Sequence, residues 1–73
     1  MAERSHELQK LADIATDLEL AGELRIKSVE QLGKIGTHEA LLVLLELVAN
    51  EKLIRRERES ALKQAREIIK SGH

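Results

Sequence analysis

Residues 38–49, HEALLVLLELVA, form the segment that most restricts how this chain can fold. On a helical wheel, most of its apolar side chains fall within about 80° of Leu41, and Leu42, Leu47 and Ala40 widen the apolar arc further. An ordinary surface helix has an apolar stripe only somewhat wider than about 100°. The segment is also too short for a membrane span, which needs about 20 apolar residues. We therefore expect a central helix that is covered on at least two sides, and part of its surface is a candidate for binding another chain.

The flanking residues predict three further helices. Gly36 can take the left-handed conformation that ends a helix, and Thr37 is a good N-cap for the next one. Apolar residues at helical spacing predict helices over about 5–16, 20–35 and 52–70, besides 38–49. Residues 55–60, RRERES, are polar on nearly every face, so we expect them to project past the core or to bend along it.

Composition agrees with an all-α fold of one domain over residues 1–73. The chain has no Pro, Cys, Trp, Tyr or Phe and only four Gly, which suits continuous helices and disfavours strands. Its core must therefore consist of Leu, Ile, Val and Ala. We see no signal segment or transmembrane run, so we expect a cytoplasmic protein that does not bind membranes.

The sequence also repeats itself after 33 residues. Leu8, Leu11 and Ile14 align with Leu41, Leu44 and Leu47, and Asp17 and Arg25 align with Asn50 and Arg58. This predicts two helix-turn-helix units of the same design, over about 5–36 and 37–71. A single unit of this kind cannot bury its apolar face, so the two units should stack.

The repeat resembles the HEAT repeat, particularly the short type found in phycobilisome-lyase-like proteins. The residues that carry the resemblance are Leu24-Arg25, Ser28, Gln31-Leu32-Gly33-Lys34-Ile35-Gly36 and Glu39-Ala40-Leu41. The resemblance implies an α-α superhelix in which a turn residue and an arginine of the second helix tie the repeats together. The matching residues are Asp17 with Arg25 and Asn50 with Arg58. The chain departs from the family in lacking its Pro residues and in having Asn50 in place of Asp.

Catalytic chemistry finds little support in the sequence. His6 and His38 lie near two helix starts, each beside a glutamate, so a His/Glu metal site is conceivable, but no pair of histidines has the i, i+4 spacing of a helical zinc site. The serines lack a nucleophile motif, and Gly33 and Gly36 do not form a phosphate-binding loop. We expect neither an enzyme nor a cofactor.

Charge is distributed unevenly along the chain. Residues 1–50 carry five Lys/Arg and nine Asp/Glu, a balance of −4, whereas residues 51–73 carry seven and four, a balance of +3. The basic last helix could contact phosphates, and binding to nucleic acid is the alternative function. Its interleaved glutamates and the absence of aromatic residues favour a solvated helix face with paired charges, or contact with an acidic protein.

We therefore predict a small helical-repeat module that mediates protein–protein interaction or acts as a scaffold, as a monomer or a weak homodimer. The expected binding residues are apolar anchors on the third helix with an arginine rim. They are Leu42, Val43, Leu47, Arg55, Arg56 and Arg58.

Overall fold

The computed structural model describes residues 5–72, and residues 1–4 and His73 lie outside this range. The described chain is all-α and contains four helices and no strand. They are α1 (His6–Ala15), α2 (Gly22–Ile35), α3 (His38–Val48) and α4 (Arg55–Lys70). The predicted fold class is confirmed.

Two of the predicted helix starts are capped by side chains. The Ser5 hydroxyl accepts a hydrogen bond from the Leu8 backbone N–H at 3.2 Å, and the Thr37 hydroxyl accepts one from Ala40 at 3.1 Å. Between α2 and α3, Gly36 has φ of 65°, a conformation that costs glycine little. These local bonds explain why the sequence predicted α1 and α3 to within a residue or two.

Helices α2 and α4 begin two to three residues later than predicted. The Asp17 carboxylate accepts a hydrogen bond from the Glu19 N–H, and the Asn50 side-chain oxygen accepts one from Lys52. Such local bonds from Asp and Asn favour turns over helix. Each turn therefore occupies residues that the apolar spacing had assigned to the following helix.

The 33-residue repeat is also present in the backbone hydrogen bonds. Within the first turn, Leu20 N–H donates to the Asp17 carbonyl, and its counterpart Leu53 donates to Asn50 in the second. The first turn of α2 and that of α4 likewise match, because Arg25 N–H donates to Ala21 as Arg58 N–H donates to Ile54. The two helix pairs thus share one design, which we call repeat one (α1–α2) and repeat two (α3–α4).

Repeat one stacks on repeat two. Helix α2 packs against both helices of repeat two, while α1 contacts α3. Helix α3 has the largest group of buried residues, Ala40, Leu41, Val43, Leu44 and Leu47. The apolar core lies between the two repeats and within each helix pair, as expected for a central third helix. It consists of Leu, Ile, Val and Ala.

Candidate interaction surfaces

An ion pair joins the two repeats inside the interface. Arg25 on α2 donates through Nε to both carboxylate oxygens of Glu57 on α4, at 2.9 and 2.7 Å, and through Nη2 to Oε1 at 2.6 Å. The two side chains are only 10% and 1% exposed. A bidentate guanidinium–carboxylate pair of this kind adds geometric specificity to the interface.

The same arginine also holds the first turn. Its Nη1 donates to the backbone carbonyls of Asp17 at 3.1 Å and Leu20 at 2.6 Å. The hydrogen bond to Glu57 raises the pKa of Arg25 above its usual value against the opposing effect of burial, and the charges of Glu57 and Asp17 act in the same direction as that bond. Arg25 therefore stays charged, and its hydrogen bonds serve the structure.

The sequence did not identify Glu57. Residues 55–60 were expected to project past the core or to bend along it; they form the first turns of α4, which place Glu57 inward against Arg25. Resemblance singled out Arg25, and the structure shows that it reaches the backbone of Asp17. A buried position for Glu57 could have been inferred only from the repeat, by asking which residue faces Arg25.

Two of the predicted apolar anchors are buried in the described chain instead of exposed. Val43 and Leu47 are 1% and 2% exposed, because α1 covers this side of α3. Both side chains line a crevice with residues of α1, among them Gln9 and Ala12. Leu42 is 47% exposed and remains available to a partner.

The three arginines of the predicted rim differ in exposure and do not line one surface. Arg55 and Arg56 are exposed, and Arg55 pairs with Glu59 at 3.0 Å. Arg58 is half-buried, and its Nε is buried without a hydrogen-bond partner among residues 5–72. Arg55 and Arg58 line one groove, which does not include Leu42 or Arg56.

That groove lies at the open end of repeat two. Val48 of α3 and Arg58 and Leu62 of α4 line it, with the Arg55–Glu59 pair beside them. We call Val48, Arg58 and Leu62 the C-terminal face. Leu45, three residues before Val48 on α3, extends its apolar area because it is also exposed.

A second groove lies at the open end of repeat one. Its apolar lining consists of Leu11 and Ile14 from α1 and Leu20 and Leu24 from the turn and α2, which we call the N-terminal face. Leu24 and Ile14 are 48% and 38% exposed. The Ser28 hydroxyl donates to the Leu11 carbonyl at 2.7 Å and ties the two helices of this face together.

The two histidines considered as metal ligands are the first residues of α1 and α3. His6 and His38 are both exposed, and residues 5–72 contain no group of three or more side chains placed to hold a metal ion. On α4, Lys70 lies 4.0 Å from Glu67, so two of its basic side chains are near glutamates of the same helix. The solvated paired-charge face and the phosphate contact both stay predictions.

Within residues 5–72, no helix has the length and apolar character that crossing a membrane requires. Comparisons with models of protein families, with curated proteins and with solved structures found no match.

Proposed function

We propose that this chain is a two-repeat helical module of the HEAT type that binds a protein partner through the open ends of its stack and has no catalysis of its own. The observation that carries the proposal is the pair of apolar end faces. A monomer or weak homodimer in the cytoplasm is the state in which we expect these faces to be available.

The repeat itself supports a binding role for these faces. Each residue of the N-terminal face has a counterpart 33 positions later that is buried. The counterparts of Leu11, Ile14, Leu20 and Leu24 are Leu44, Leu47, Leu53 and Glu57, all at most 2% exposed. A surface that is covered in one repeat and open in the other is the kind of contiguous apolar patch that marks an interaction site.

The polar groups support a structural role. The most buried charged pair, Arg25 with Glu57, is fully engaged in internal hydrogen bonds. Arg55, predicted as part of a binding rim, faces Glu59 of its own helix. Neither arrangement presents an acid, base or nucleophile to a substrate.

The test compares proteins recovered with the tagged chain from extracts of its own source. Leu62→Glu places a charge on the C-terminal face, and Leu18→Glu places the same charge on an exposed leucine outside both faces. We expect Leu62→Glu to lose at least one specifically recovered protein that Leu18→Glu retains, with helicity unchanged in both. Equal recovery by both variants and the unmodified chain would contradict binding through the C-terminal face.

A further inference from the structure

The interface between the two repeats shows what the end of a repeat accepts. Arg25, Val29 and Ala15 of repeat one are buried, and Glu57 in the first turn of α4 of repeat two supplies the carboxylate for the arginine. A helical hairpin with a glutamate at this position is therefore the observed occupant of one repeat end.

The C-terminal face reproduces that end 33 residues later. Arg58, Leu62 and Val48 occupy the positions of Arg25, Val29 and Ala15, but no third helix pair follows to cover them within residues 5–72. Leu62 is 37% exposed, whereas Val29 is 1% exposed. Arg58 Nε is already buried and lacks a hydrogen-bond acceptor within the described residues, whereas the equivalent atom of Arg25 has two.

We infer that the C-terminal face binds a helical hairpin of another protein that presents a carboxylate to Arg58. The inference rests on the proposed function and specifies its partner. The Arg58 guanidinium has no partner for its buried Nε within the described residues, so a partner that brings an acceptor to this side chain satisfies a group that the chain leaves unpaired. A carboxylate forms the strongest such bond.

A second copy of this chain fits the face less well. In a continuous stack, the residue that meets Arg58 is the counterpart of Glu57 in the next copy, which is Leu24. The N-terminal face is therefore apolar, as a partner of the C-terminal face should be. At the position where that partner needs a hydrogen-bond acceptor, however, it has a leucine. This mismatch limits stacking of the chain on itself and points to a different protein as the occupant.

The mismatch can be tested with the Leu24→Glu variant. This substitution gives the N-terminal face of one copy the carboxylate that Arg58 of another copy lacks. Leu24 is exposed in the first turn of α2, where a negative charge is favourable to the helix. We expect self-association at least about tenfold tighter than in the unmodified chain. The average molecular mass of the Leu24→Glu variant should keep increasing beyond that of a dimer as its concentration rises. The reason is that head-to-tail contacts in a stack form open chains instead of closed rings. Sedimentation equilibrium at low salt measures both properties.

Two further variants isolate the contact. Arg58→Met in the Leu24→Glu background should return association to the level of the unmodified chain, and Leu18→Glu alone should not increase it. If the groove were only an apolar patch, the charge of Leu24→Glu would weaken association instead. Weakened or unchanged association, or a gain that survives Arg58→Met, overturns the inference.

Two variants with the charges exchanged between positions 24 and 58 control for an effect on folding. Chains with Leu24→Arg and chains with Arg58→Glu should associate when mixed and less so when separate, with circular dichroism reporting that each is helical. Absence of mixed association in folded chains also overturns the inference. If Leu62→Glu still abolishes recovery of a partner, the proposed function stands while the carboxylate-bearing hairpin is refuted.

Discussion

Truncating two leucines of α3 distinguishes the buried side of this helix from its open side. Leu47 is 2% exposed and Leu42 is 47% exposed, and both substitutions to alanine remove the same atoms from the same helix. The change in helix propensity therefore cancels in the comparison. Leu47→Ala leaves a cavity against α1 and should cost about 3 kcal/mol of the free energy of unfolding. Leu42→Ala leaves no enclosed cavity and should cost no more than about 1 kcal/mol.

These costs are large relative to the stability of a short chain. A domain of this length is stable by only about 4–11 kcal/mol, and each 1 kcal/mol shifts Tm by about 4–8 °C. Leu47→Ala should therefore lower Tm by roughly 12–24 °C, and Leu42→Ala by no more than about 8 °C.

The assay is urea and thermal unfolding followed by far-ultraviolet circular dichroism, because the chain has no aromatic residue to report by fluorescence. Protein concentrations at which every variant is monomeric keep association out of the measured stability. If Leu42→Ala destabilised the chain as much as Leu47→Ala, the assignment of the buried and open sides of α3 would be refuted.

Three further substitutions test the turns and the contacts between repeats by the same unfolding assay. Thr37→Ala removes the N-cap of α3 and should cost about 1 kcal/mol; no change would mean that the hydroxyl contributes nothing. Gly33→Ala would normally stabilise a helix, but its added Cβ would lie 3.0 Å from the Cβ of Gln64. We expect a net loss of about 1 kcal/mol that Gln64→Ala partly relieves, and an additive pair would contradict this contact. Glu57→Gln weakens the buried pair and should lower Tm far more than Glu59→Gln, which alters an exposed pair worth about 0.5 kcal/mol; equal shifts would argue against a buried Glu57.

The sequence by itself determined which segments are helical and that the second pair repeats the first. Ser5 and Thr37 bond to residues three positions later, and Gly36 needs only its own backbone freedom, so these signals are local. The later starts of α2 and α4 were missed because apolar spacing continues through turns that Asp17 and Asn50 hold with short-range bonds. The repeat could be detected because the two units have apolar residues at the same spacing in the sequence.

Only the tertiary structure decided which faces meet. Helical periodicity shows that residues such as Val43 and Leu47 share a side of α3, but the direction from which α1 approaches is set by the packing of the whole stack. The pairing of Arg25 with Glu57 likewise joins residues 32 positions apart, through helices whose relative placement no local pattern specifies. For the same reason Leu24, although apolar, is 48% exposed: within residues 5–72 no further repeat covers its side of α2.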